Sequence, residues 1–204
     1  MKSILPVRAM LAMILGVLSV SAAGQTAADG APPPGSNKFD LAVNFTYKVT
    51  KIASTTTDFV LPGGSVDGAY NFGGGLKGVS LVLDLNGESK SNIEPGVNLT
   101  QFSVMGGARY TFHIAAKNPH SVDLYGQLLG GGVFASNSLF PGPSSSTSSA
   151  NSGALQVGGG INLRLTRSIA LRLLEADFIT THLPNSTNQR QYDVRFSNGV
   201  VFRF

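Results

Sequence analysis

Ten charged residues stand at alternate positions inside otherwise apolar or small-residue segments: Asp40, Asp67, Asp84, Arg109, Asp123, Arg172, Glu175, Asp177, Arg195 and Arg203. Along a strand the neighbours at i±1 point to the opposite face, so each of these charges belongs to a polar face backed by an apolar one. If the polar face is enclosed, the charges must pair to be tolerated. The chemistry on offer is therefore an internal ion-pair network. Short turns predict that Asp40 meets Arg203 where the first and last strands close. They also predict Arg109 opposite Asp123, and Glu175 and Asp177 beside Arg195. Asp67 and Asp84 fall opposite one another, a repulsive arrangement that needs a cation, and Arg172 is placed to supply it from across the interior. Such a network either plugs a narrow lumen or, given a continuous water path, selects ions.

Other chemistry finds little support. The chain has three His and no Cys. His113 and His120 flank an expected turn, and His182 precedes Leu183-Pro184 at the base of a loop. None shares a strand with an obvious nucleophile, so all three are read as turn and loop residues on the surface. No His, Cys or acid spacing resembles a metal site. No catalytic residue, metal or cofactor is expected.

The elements that must hold the charges are strands. Eight period-2 segments follow Lys38. In the first, Phe39, Leu41, Val43, Phe45, Tyr47 and Val49 alternate with Asp40, Ala42, Asn44, Thr46 and Lys48. The second runs from Gly64 to Phe72, and the third sets Val79, Leu81, Leu83 and Leu85 against Ser80, Val82, Asp84 and Asn86. Phe102 to Phe112 make the fourth. The fifth, Val122 to Phe134, is blurred by Gly130-Gly131-Gly132. The sixth carries Leu155, Val157, Ile161 and Leu163 against Gln156, Gly158, Gly160, Asn162 and Arg164. In the seventh, strict alternation would send Glu175 and Asp177 to the apolar side, so a β-bulge is expected at Leu173-Leu174. The eighth is the C-terminal segment. Between strands, Gly73 to Lys77, His113 to His120 and Leu165 to Ser168 are short. Thr50 to Gly63, Ser89 to Asn98, Ala135 to Ser152 and Thr181 to Arg190 are longer, in strict alternation.

Both ends of the chain bear on export. Lys2 and Arg8 precede an apolar stretch from Ala9 to Val20, and Ser21, Ala22 and Ala23 offer a cleavage site, the pattern of a secretory signal peptide over residues 1–23. Residues 24–37, with Ala31-Pro32-Pro33-Pro34-Gly35, read as an extended leader. Residues 38–204 are then expected to form one barrel. Loss of Lys2 and Arg8 takes the formal charge from +4 to +2, too weak to suggest a nucleic-acid partner. Charged residues are 13% of the chain, about half the usual share for a soluble domain. Aromatics at Phe39, Phe72, Tyr110, Phe112, Phe202 and Phe204 gather at one end of the expected strands, as in an interfacial girdle.

The closing strand, apolar on the Val200, Phe202 and Phe204 side and ending on Phe, resembles the assembly signal of bacterial outer-membrane β-barrels. Gly107-Ala108-Arg109-Tyr110-Thr111-Phe112, the Gly158-Gly159-Gly160 strand and Val200-Val201-Phe202-Arg203-Phe204 together resemble the small eight-stranded barrels of the OmpA transmembrane-domain class. The resemblance implies an all-β, eight-stranded antiparallel up-and-down transmembrane barrel in the bacterial outer membrane, monomeric, with both termini periplasmic. It implies lipid and the barrel-assembly machinery as partners, the latter through the C-terminal strand. The sequence shows no wall-binding segment, so tethering to the cell wall is not expected. The leading function is structural or surface interaction, with the lumen filled by side chains. A narrow ion pore stands second, and a lipid-modifying enzyme third. The Ser-rich loop from Ala135 to Ser152 reads as mobile, with Leu139-Phe140 as its one apolar anchor.

Overall fold

The computed structural model describes residues 37–51, 58–94, 97–114, 121–140, 147–183 and 190–204. The expected signal peptide, the leader up to residue 36, His120, and residues 141–146 of the Ser-rich loop lie outside them, as do the side chains of Leu139 and Phe140. Eight strands form a closed antiparallel barrel in sequence order: β1 (Phe39–Lys51), β2 (Asp58–Asn71), β3 (Val79–Glu94), β4 (Val97–Ile114), β5 (Val122–Phe140), β6 (Thr147–Arg164), β7 (Ile169–Thr181) and β8 (Gln191–Arg203). Closure is made by β1 on β8, from Asp40 opposite Arg203 to Val49 opposite Val194. Phe39 and Phe204 exchange both backbone hydrogen bonds, at 3.2 and 2.8 Å. No described strand edge is left open, which is how such a sheet avoids pairing with other chains.

The barrel is inverted relative to a soluble one. Among the described residues, 26 polar or charged side chains are buried against 15 hydrophobic ones. Large apolar side chains instead face outward, Phe45 being 69% exposed and Phe112 59%. On β3 the outward set runs Leu81, Leu83 and Leu85, then changes at Gly87 to Ser89 and Ser91. On β6 it changes from Val157 and Leu155 to Gly153 and Asn151. The apolar belt is thus of limited height. Aromatics mark both of its rims. At the end bearing the short turns, Tyr110 and Phe112 pack edge to face at 4.5 Å, and Tyr70 and Phe72 at 5.3 Å. At the opposite rim, Phe178 stacks on Tyr192 at 5.8 Å, and outward-facing Phe102 stands opposite outward-facing Phe134. The second rim, on β4, β5, β7 and β8, was not among the sequence expectations.

The connections depart from expectation. Most of the segments read as Thr50 to Gly63, Ser89 to Asn98 and Ala135 to Ser152 loops is strand. Between β3 and β4 only residues 95 and 96 intervene, fewer than in any of the short turns, so loop lengths do not alternate as expected. The asymmetry is carried by strand length: β3 to β6 have 16 to 19 residues, whereas crossing a bilayer takes about 9–11. Beyond the belt both faces meet either water or an apolar interior, so hydropathy stops alternating while backbone pairing continues. Of the short turns, the one after β2 is built on a 3-10 turn, Gly74–Leu76, between Gly74 and Gly78 at φ +65° and +91°. A Cβ on Gly78 would also press on the Thr111 carbonyl oxygen.

The bulge in β7 lies at Leu173-Leu174. Register against β8 shifts between Arg172 and Glu175, and both leucines are exposed while Arg172, Glu175 and Asp177 are buried. Two successive outward residues are the cost of returning the acids to the interior.

Candidate functional site: the charged interior

The interior face is layered along the barrel. The middle layer is a network of side chains from seven strands. Asp67 on β2 stands directly opposite Asp84 on β3. Arg172 from β7 reaches Asp67 Oδ2 at 2.5 Å and Glu175 Oε2 at 2.9 Å. Arg109 from β4 binds the other oxygen of Asp67 at 2.9 Å and Gln127 Oε1 at 2.8 Å. Arg195 from β8 binds Asp84 Oδ2 at 2.7 Å and Asp177 Oδ2 at 3.0 Å. Gln127 donates to Asp177 Oδ1 at 3.0 Å. The Tyr125 hydroxyl donates to Glu175, and its ring lies under two guanidinium groups, Arg109 at 4.5 Å and Arg172 at 5.3 Å. Asn44 donates to Asp67 from β1. Buried charges of both signs are therefore held by multiple partners, as burial requires.

Glycines make the room. A Cβ at Gly160 would sit 2.5 Å from the Tyr125 hydroxyl, and one at Gly158 would enter the Asp177 carboxylate. Long side chains from β5 and β7 fill the space that the Gly158-Gly159-Gly160 strand leaves. Toward the loop end, Lys48 pairs with Glu88 and donates to Gln101; Asn86 joins them through Glu88 at 2.8 Å. Above this pair Leu61, Leu99, Val133, Ala135 and Leu183 pack into an apolar cluster, none more than 7% exposed. Leu183 enters it from just beyond β7.

At the turn end the expected pairing is corrected. Arg109 stands opposite Gln127, and Asp123 stands opposite His113. β4 continues to Ile114, which carries His113 into the strand and turns its side chain inward instead of onto a surface turn. Its Nδ1 lies 2.6 Å from Asp123 Oδ1. Arg203 stands beside Asp40 in register but sends Nη2 to Asp123 Oδ2 at 2.6 Å. Arg164 approaches the same carboxylate oxygen at 3.9 Å. His182 is exposed and donates its backbone N–H to Ser152 Oγ at 2.8 Å.

All ten charged residues singled out from sequence lie on the interior face; Arg109, Arg172, Arg195 and their four acids share the middle layer, while Asp40, Asp123 and Arg203 lie at the turn end. Val200, Phe202 and Phe204 face outward on the closing strand. Sequence reasoning passed over Lys48, Glu88, Tyr125, Gln127 and Arg164. Lys48 and Arg164 already stood on polar faces; Glu88 lay past the last apolar residue of its strand, and Tyr125 is an aromatic on the polar face.

A closed eight-stranded antiparallel meander, charged within and apolar without, is the architecture of the small outer-membrane barrels. Solved structures of that class are similar to this chain. Ail, the attachment invasion locus protein of Yersinia pestis, matches with a TM-score of 0.52 at 16% identity, covering 82% of this chain and 99% of Ail. Its complex with the heparin analogue sucrose octasulfate matches at 0.53 and 16%, covering 81% and 97%. Neisserial surface protein A (NspA) matches at 0.55 and 15%, covering 82% and 97%. No protein-family model and no curated protein sequence matches.

Proposed function

We propose that this chain, freed of residues 1–23, is an integral barrel of a bacterial outer membrane. On this reading the apolar belt meets lipid, both termini lie in the periplasm and the interior conducts no ions. Its contribution is structural, or is made through the loop end to partners outside. The likeness to Ail and NspA supports the fold, and the limited belt with an aromatic rim at each end supports lipid as its surroundings.

The observation that carries the closed lumen is the Leu61, Leu99, Val133, Ala135 and Leu183 cluster lying over the ion-paired middle layer. An ion would have to displace five packed apolar side chains and then break paired charges, and eight strands enclose little more than side chains. The Ser89, Ser91, Asn98 and Asn151 faces of the extended strands put exposed polar surface beyond the belt at this end, which favours surface contact as the functional role. Barrel refolded in detergent, taken from the fraction whose gel mobility shifts on boiling, is expected to leave a planar bilayer silent. Discrete, reproducible current steps would overturn this reading in favour of a pore.

A further inference from the structure

We infer that the turn end of the interior holds a binding site for a small soluble oxyanion of phosphate size, gripped by Arg164 and Arg203. The loop end is sealed, but at the turn end a cavity opens among Asp40, Thr111, His113, Asn162, Arg164 and Arg203. Its arginines have donors to spare. Arg164 is 9% exposed, yet its ion pair with Asp123 is long, 3.9 Å, and its Nε has no partner. Arg203 is 5% exposed, commits Nη2 to Asp123, and also leaves Nε unpartnered. A buried guanidinium without acceptors is costly, and a planar fork of N–H groups suits a carboxylate or phosphate edge.

The balance of charge points the same way. Arg164 and Arg203 both converge on the single carboxylate of Asp123, and a third arginine, Arg109, also lines the cavity. Both oxygens of Asp123 are taken, one by His113 and one by Arg203, so that acid is not free to hold a cation. Asp40 is the other acid at this mouth. Asn162, whose Oδ1 accepts from Arg172 at 3.4 Å, also lines the cavity. The cavity lies inside the barrel wall, on the opposite face from the apolar belt. Its ligand is therefore a dissolved anion from the compartment on the turn side rather than a lipid headgroup.

The test is a titration of inorganic phosphate into isotope-labelled barrel in an uncharged maltoside micelle at low chloride, followed by backbone amide NMR. Amides of Asn71, Thr111 and Asn162 are expected to shift and saturate. Arg164→Gln should weaken binding about tenfold or more, Arg164→Lys should bind between it and the unaltered chain, and Lys77→Gln, at an exposed turn residue, should change nothing. If R164Q does not give the heat-shifted band, R164K carries the comparison alone, since it keeps the charge and loses the fork. Non-saturating shifts, R164K binding as tightly as the unaltered chain, or K77Q weakening binding as much as R164Q would overturn the site. So would shifts that appear only when phosphatidylglycerol is added to the micelle.

Discussion

Asp67 and Asp84 face each other across β2 and β3, and each is held by a different arginine: Arg172 at 2.5 Å on the first, Arg195 at 2.7 Å on the second. Like charges on directly opposed residues destabilise a strand pair. Here the repulsion is relieved from the far wall, by cations 105 and 111 residues distant in sequence. The middle layer therefore ties β2 and β3 to β7 and β8 through the lumen.

That cross-tie is the basis of the first prediction. Arg172→Ala leaves Asp67 and Glu175 without their strongest partner in a buried setting, which costs about 3–5 kcal/mol. Urea unfolding of the barrel in lipid vesicles should show it. Adding Glu175→Gln should recover part of the loss, because the unpaired charge is then smaller. An R172A barrel as stable as the unaltered one would mean the network is hydrated rather than sealed.

The bulge sets up a sharper test. Deleting Leu173 and Leu174 together joins Arg172 directly to Glu175, so that strict alternation turns Glu175 and Asp177 toward lipid, at about 2.5–3.5 kcal/mol apiece on an insertion scale. The double deletion is expected to give no heat-shifted band, whereas deleting Leu174 alone, which lets β7 alternate strictly with both acids still inward, should give it.

Gly160 should accept no side chain. A methyl group there meets both the Tyr125 hydroxyl and the Leu174 carbonyl, and backbone cannot move aside as a flexible side chain can. Gly160→Ala is expected to cost about 1–3 kcal/mol, read again by urea unfolding, while Gly153→Ala, where a Cβ would meet nothing, should be neutral.

The two lids of the lumen can be separated. Leu183→Ala removes a fully buried side chain from the loop-end cluster and should cost roughly 2–3 kcal/mol. It should not open a current, because the paired middle layer still closes the path. Steps in bilayer recordings of L183A would place the whole barrier in the apolar cluster.

Phe204 separates assembly from stability. Its backbone closes the barrel on Phe39, which any residue could do, and its ring is on the outer face. Phe204→Asp is therefore expected to refold in detergent yet to reach the outer membrane of cells at a level several-fold lower. Equal cellular levels would show that Val200, Phe202 and Phe204 carry no assembly signal.

Much of this architecture is legible in the sequence. The side-chain period of a strand is two whatever its surroundings, so alternation alone sorted Asp40, Asp67, Asp84, Arg109, Asp123, Arg195 and Arg203 onto one face. The lipid penalty on Glu175 and Asp177 located the bulge for the same reason. Neighbouring-strand pairs followed wherever a short turn set the register, as for Asp67 with Asp84. Where β4 ran on past the expected turn, that logic slipped, and Asp123 went to His113 instead of Arg109.

Arg172 was expected to reach the Asp67–Asp84 pair from across the interior and does hold Asp67, but that Arg195 takes Asp84, like most of what crosses the lumen, only the tertiary structure decided. Closing the sheet brings β2 against β7 and β3 against β8, and no local pattern encodes which guanidinium then meets which carboxylate. The same closure gathers Leu61, Leu99, Val133 and Leu183 into one seal, although they come from four separate segments, on β2, β4, β5 and just beyond β7. Periodicity is a property of one strand; pairing across an enclosed space is a property of the closed barrel.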